Sequence, residues 1–269
     1  MNRIAKFFNR HPIAYFVRYA LVSENVNEYD LGDLGCFNDF NSLDSIPKLY
    51  FKINEKIALD ASLDEYEKAL QIAKFLRLSM KGGSGIGLSS SKTLEIMLAN
   101  KGGVCSDFSQ IFNVFCFING IKVKEWGCID RFYKTEFGHS FNEIYSSAKQ
   151  KWIAIDIHKG LVFNDAAGVP LSAIELFSEL RKGNNVEFKH YSDYLSRDHH
   201  RTPNVFSATT IPFIISNNRN DVTDYYFEKY QNLLSPIVIN SLILLVRKNH
   251  KFIFVMDNYK AKLFPQWMQ

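Results

Sequence analysis

The sequence predicts an α+β fold in which a helix opened by Cys105 packs on an antiparallel sheet bearing His139 and Asp156. Three observations predict it. Gly102 and Gly103 make a tight approach turn before Cys105, after which Phe108, Ile111, Phe112 and Phe115 recur at helical spacing up to Asn119 and Gly120, a helix stop. His139, Phe141, Glu143 and Tyr145 alternate with Ser140, Asn142 and Ile144, the period of a strand. Trp152, Ala154 and Asp156 repeat that alternation after a polar turn at residues 146–151. The two strands therefore pair as a hairpin, with His139 near the start of one and Asp156 near the end of the next.

The same segments carry a chemistry. A thiol of ordinary pKa, about 8.5, is mostly protonated near neutrality, so an attacking cysteine needs a helix N-terminus, a positive charge or an imidazole beside it. The helix that starts at Cys105 offers a dipole that favours the thiolate and free N–H groups that hold an oxyanion. Asp156 would fix the tautomer of His139 and leave its other nitrogen facing Cys105. Taken singly, the cysteine reads as a small buried hydrophobe, the histidine as structural and the aspartate as a turn former. Together, three required residue types each stand in the secondary structure their role needs, which makes Cys105, His139 and Asp156 the candidate catalytic set.

These residues resemble the core of the transglutaminase-like superfamily of papain-like cysteine enzymes. Gly103-Val104-Cys105 looks like its Gly-x-Cys at a helix start, and the Asn119-Gly120-Ile121 that follows looks like its small-residue turn and first strand. His139-Ser140-Phe141-Asn142-Glu143-Ile144-Tyr145 is similar to its His-x-Trp-x-Glu-Val-Tyr strand, with Phe141 where Trp is common. Trp152-Ile153-Ala154-Ile155-Asp156 resembles its Trp-x-x-x-Asp strand, with Ile157-His158 replacing the usual Pro-Thr. The resemblance runs over residues 63–159. It implies thiolate attack on an amide or acyl carbon through a thioester, with no cofactor and no metal. Water as acceptor makes an amidase or peptidase, and an amine makes a transamidase or N-acyltransferase; the sequence leaves both open. The implied partner is an amide- or acyl-bearing peptide, small molecule or glycan, with a small or saccharide-linked substrate favoured over general proteolysis. A different class of function, a catalytically inactive module of the same fold that holds a peptide or glycan, also fits. The backbone N–H of Cys105 is the expected oxyanion donor, and no side-chain donor is assigned.

Composition agrees with a folded enzyme. The 269 residues are 46% hydrophobic, with 23 Phe and 13 Tyr, enough to build a bulky aromatic core. The net charge of +4 arises from 32 basic and 28 acidic residues without a long basic run, which argues against a nucleic-acid partner. Cys36, Cys105, Cys116 and Cys128 form no CxxC pair, so neither a zinc site nor a redox dithiol is expected. The basic start is interrupted by Arg18 before any signal-like apolar stretch reaches useful length, and a cytoplasmic location with free thiols follows as the expectation. Residues 236–246 are apolar yet too short to span a bilayer. Their β-branched content predicts a buried strand that pairs with residues 252–256 in a C-terminal hairpin, and no membrane partner. Nothing in the sequence sets the oligomeric state.

Three segments are expected: residues 1–60 as an N-terminal extension packed on the core, residues 61–185 as the catalytic core, and residues 186–269 as a C-terminal extension. In the first, Ile13, Phe16, Val17, Ala20 and Leu21 fit an amphipathic helix starting near Pro12, followed by a polar loop over residues 23–43. Ser62 and Glu65 predict a capping box for a helix running to about Met80. The run Lys81-Gly82-Gly83-Ser84-Gly85-Ile86-Gly87 lacks the Gly-Lys-Ser/Thr ending of a phosphate loop and reads as a mobile rim of the cleft. A short helix of Leu94, Met97 and Leu98 leads into Cys105. Ser172 with Glu175 predicts a capped helix that ends near Gly183. His190, His199 and His200 lie in a polar stretch without metal-ligand spacing. Residues 221–234, with Tyr225, Tyr226, Phe227 and Tyr230, predict a helix packed on the C-terminal hairpin.

Overall fold

Alternation and helical periodicity place most elements where the sequence predicts them. The computed structural model describes residues 19–129, 138–192, 205–247 and 249–263. Its strands are β1 (Ser23–Asn25), β2 (Val123–Ile129), β3 (Gly138–Ser146), β4 (Lys151–Asp156), β5 (Leu161–Asn164), β6 (Glu187–His190), β7 (Ile211–Ser216) and β8 (Lys251–Phe254). Its helices are α1 (Lys48–Ile57), α2 (Glu65–Ser79), α3 (Ser90–Leu98), α4 (Cys105–Ile118), α5 (Ala173–Lys182), α6 (Asn220–Tyr230), α7 (Pro236–Arg247) and α8 (Tyr259–Leu263).

One sheet of order β1-β8-β7-β2-β3-β4-β5-β6 runs through all three segments of the chain. It is mixed rather than purely antiparallel, because β1 pairs in parallel with β8. Side chains alternate across it. Val123, Ile144, Ile153 and Ile155 join a core with Ile72 and Leu76 of α2 and with Phe108, Ile111, Phe112 and Phe115 of α4. Trp126, Phe141, Ala154 and Phe163 point to the opposite face, where Leu176 and Phe177 of α5 cover them. The helix of Cys105 thus lies on one face of the sheet in a mixed α+β fold, as expected.

Helix α2 is capped two residues later than the sequence predicts. Asp64 Oδ1 accepts from Glu67 N (2.8 Å), and Glu67 Oε2 accepts from Asp64 N (3.1 Å). Ser62 is unavailable because its N–H and hydroxyl both donate to Asp60 Oδ1. Helix α5 starts with the predicted pair, Ser172 and Glu175, and ends at Gly183 with φ +76°. The loop expected over residues 23–43 contains β1 and short 3-10 turns, and Cys36 bridges to Lys124 of β2. Lys124, buried in β2, donates to the Gly32 carbonyl at 2.6 Å and so ties this segment down. Of the predicted first helix, residues 19–22 are helical, while Ile13, Phe16 and Val17 lie outside the described residues.

The predicted C-terminal hairpin is not formed. Residues Pro236–Arg247 are helix α7, and β8 pairs instead with β7 and β1. Burial of Ile239, Ile243 and Leu244 falls at helical spacing, while Val238, Leu245 and Val246 are exposed. Twelve residues also exceed a usual strand, and Pro at the first helical position is favourable. Helix α6 consequently packs on α7, with Phe227, Ile239 and Ile243 in one small core, rather than on a hairpin. No helix among the described residues is long and apolar enough to cross a membrane.

The glycine run at residues 81–87 is fastened rather than free. Gly83 N donates to Gly103 O (2.7 Å), and Gly103 N donates to Ser84 O (2.8 Å). A Cβ at Gly102 would stand 2.9 Å from the Ser84 carbonyl oxygen, and Gly103 has φ +114° with Met97 against it. Gly103→Ala is therefore expected to cost about 1–3 kcal/mol, read by urea unfolding, because a residue with a Cβ is strained at that φ. Unchanged stability would show that the turn relaxes freely.

Candidate active site

The hairpin register brings a histidine and an aspartate together. Glu143 pairs with Ala154 and Asn142 with Ile155, so His139 and Asp156 project on one face of neighbouring strands. His139 Nε2 lies 2.6 Å from Asp156 Oδ2. His139 is 6% exposed and Asp156 fully buried. The second carboxylate oxygen, Oδ1, accepts from the Lys159 backbone N–H at 2.9 Å. Burial opposes a charge on His139, but the Asp156 carboxylate overrides it, with a further contribution from the Cys105 thiol, and the imidazolium is held up to about pKa 9. Burial also opposes the Asp156 charge, yet His139 and the Lys159 N–H hold its carboxyl below the ordinary value. With Nε2 committed to Asp156, Nδ1 is the ring atom left to face a thiol.

Cys105 supplies that thiol. It is the first residue of α4 and half-buried, whereas Cys36, Cys116 and Cys128 are buried; all four are free. Asp107 Oδ2 accepts from Val104 N (2.8 Å) and Ile86 N (3.4 Å), closing the N-terminus of α4 against the glycine run. The first-turn N–H groups at Cys105 and Ser106 have no carbonyl one turn back and so form the open, electropositive end of the helix.

Beneath α4 a buried polar chain fixes the helix on the sheet. Asn142 Nδ2 of β3 donates to Asn113 Oδ1 (2.7 Å) and to Ser109 O (3.1 Å). Asn113 Nδ2 donates to Glu125 Oε2 of β2 at 3.2 Å. Burial pushes the Glu125 carboxyl up to about 8, so it is largely neutral at pH 7 and places no bare charge under the helix. Asn142 stands three residues beyond His139, which links the position of α4 directly to the strand that holds the imidazole.

Two further side chains border His139. Phe206 meets its ring edge-on at 5.7 Å, and the His158 ring lies 6.1 Å away. His158 and Asn142 are members of the site that the sequence did not single out; their spacing of two from Asp156 and three from His139 was visible, but not where the turn and the helix would put them. Of the histidines in the polar stretch, His190 sits in β6 opposite Leu161, while His199 and His200 lie outside the described residues. Among the described residues, no group of three or more His, Cys, Asp or Glu is placed to hold a metal ion. A surface cavity of about 780 Å³ lined by Arg219, Asp221, Tyr225 and Asn249 shares no residue with this site.

A helix presents the cysteine, and two neighbouring strands of the sheet present the histidine and the aspartate. Residues 53–157 match the family model of the transglutaminase-like superfamily. A solved structure described as a candidate cysteine protease from Cytophaga hutchinsonii is similar to 52% of this chain and 47% of its own, at 20% identity and a TM-score of 0.33. The chain thus spans about half the length of that structure. No curated protein shows a significant match to the chain.

The ion pair has a pH signature. The folded pKa of His139, about 9, lies above its ordinary 6.5, so the pair's stabilisation is fully present below about pH 6.5 and is lost as pH rises through about 9. Asp156→Asn is expected to cost on the order of 3 kcal/mol near pH 6, with the gap to wild type narrowing towards pH 9 in urea unfolding. A gap that stays constant with pH would refute the pairing.

Proposed function

We propose that this protein is a cysteine-dependent acyl-transfer or amide-hydrolysing enzyme in which Cys105 is the nucleophile, His139 the general base and acid, and Asp156 the group that orients the imidazole. The observation that carries the reading is the buried His139–Asp156 contact of 2.6 Å beside a half-buried thiol at a helix N-terminus. In the resting site His139 already carries the proton given up by the Cys105 thiol, in keeping with an imidazole held protonated to about pH 9, and the sulfur of this ion pair attacks an amide or acyl carbon. The tetrahedral oxyanion is held by the backbone N–H of Cys105 at the open end of α4. Collapse breaks the carbon–nitrogen bond, and His139 returns its proton to the leaving amine, leaving a thioester on Cys105. Water then regenerates the enzyme with release of an acid, or an amine takes the acyl group as a new amide; in either case His139 receives the proton of the attacking group, and the ion pair is restored as the sulfur leaves. The substrate class proposed is a small or saccharide-linked amide or acyl compound, and the setting proposed is the cytoplasm, where a free thiol persists.

Exposure alone would make Cys105 react faster than three buried cysteines, so the telling variant keeps the exposure and removes the imidazole. An ordinary thiol of pKa about 8.5 is only ~0.3% thiolate at pH 6. Iodoacetamide at pH 6 should modify Cys105 selectively, and His139→Ala should slow that reaction by roughly a hundredfold, followed by peptide mass spectrometry. Equal labelling rates in the two proteins would dismiss the base and favour a binding module.

A further inference from the structure

We propose that His158 is a positioning residue of this site, whose ring spaces the first turn of α4 from His139 and so sets how closely the Cys105 thiol approaches the imidazole. The inference rests on the catalytic reading above.

His158 stands two residues after Asp156 in a turn closed by Gly160 N donating to Asp156 O (2.9 Å) and by the Lys159 N–H on the Asp156 carboxylate. Its carbonyl accepts from Arg77 Nε at 3.0 Å, and the same guanidinium donates to Met80 O at 3.2 Å. The turn is thereby clamped to the end of α2, where the glycine run begins. From this anchored backbone the ring reaches Phe108, one helical turn beyond Cys105, at 5.4 Å between centroids, and His139 at 6.1 Å. Both separations are those of packed rings. A Cβ on Gly82 would lie 3.7 Å from His158 Nε2, 3.5 Å from Phe108 and 3.3 Å from Gly103 O, so the ring also closes against the loop fastened to the approach turn. One side chain therefore packs against α4 and the imidazole and faces the glycine run.

The buried Nδ1 of the ring has no partner among the described residues, so packing rather than this nitrogen holds it. It also carries no competing charge. Burial, with His139, Arg77 and Lys159 nearby, pushes its pKa down to about 4 against the attraction of Asp156, so above about pH 4 His158 is neutral beside the His139 imidazolium.

The test is the rate of Cys105 alkylation by iodoacetamide against pH, in the full chain, for wild type, His158→Ala and His158→Phe, with the folded fraction of each measured by near-ultraviolet circular dichroism. Selective labelling of wild-type Cys105 at pH 6 is read first; without it the thiol–imidazole pairing itself falls, and this proposal with it. Given that selectivity, His158→Ala should react roughly tenfold more slowly at pH 6 with its profile displaced to higher pH, because a small misplacement of reacting groups costs rate steeply. His158→Phe, which keeps the ring, should restore the rate to within about twofold of wild type. The proposal is overturned by a wild-type rate and profile in His158→Ala, by a loss that merely tracks unfolded protein, or by a Phe variant as slow as the Ala variant, which would assign the role to a ring nitrogen instead.

Discussion

The interaction on which the site depends is the contact between a buried imidazole and a buried carboxylate on adjacent strands. Taking two charges out of water is expensive, and a buried ion pair is not in itself a source of net stability. What it does here is fix one ring nitrogen, and therefore the direction of the other. The strand alternation makes the contact inexpensive in conformational terms, since β3 and β4 are neighbours and carry the two side chains on one face. The second carboxylate oxygen is satisfied by a backbone N–H in the turn that follows, so Asp156 is held from two directions.

The thiol reaches this pair because several independent ties locate one helix end. The glycine run and the approach turn exchange two backbone hydrogen bonds, Asp107 caps the helix start, and the Asn142–Asn113–Glu125 chain pins the helix body to β3 and β2. The ties differ in kind: one needs the absence of a Cβ, one a carboxylate at a helix start, and one an amide chain in a dry core. They act at different points of α4, its approach turn, its first turn and its body, and together hold in place a site built from distant parts of the chain.

Much of this was legible in the sequence, for identifiable reasons. The helix of Cys105 and the strands of His139 and Asp156 have clean local signals, a glycine turn followed by a 3.6-residue period and a two-residue alternation. Ser172 with Glu175 and Gly183 likewise mark the ends of α5 by local chemistry. The failures share a cause in non-local or backbone interactions. The pairing of β1 with β8 joins the two ends of the described chain and leaves no pattern in either segment. The fastening of the glycine run is made by backbone atoms, which no side-chain pattern reports. Residues 236–247 are apolar at nearly every position, so periodicity could not separate helix from strand, and length was the better guide. The cap of α2 fell on Asp64 because Ser62 was already engaged by Asp60, a competition visible only once the turn is formed.

The protonation of one imidazole is the property on which the site turns, and nuclear magnetic resonance titration of His139, assigned by comparison with His139→Gln, measures it. This ring is expected to titrate near pH 9, held up by the carboxylate at 2.6 Å, and Asp156→Asn to bring the midpoint down. A midpoint at or below the ordinary 6.5, unmoved by Asp156→Asn, would contradict it.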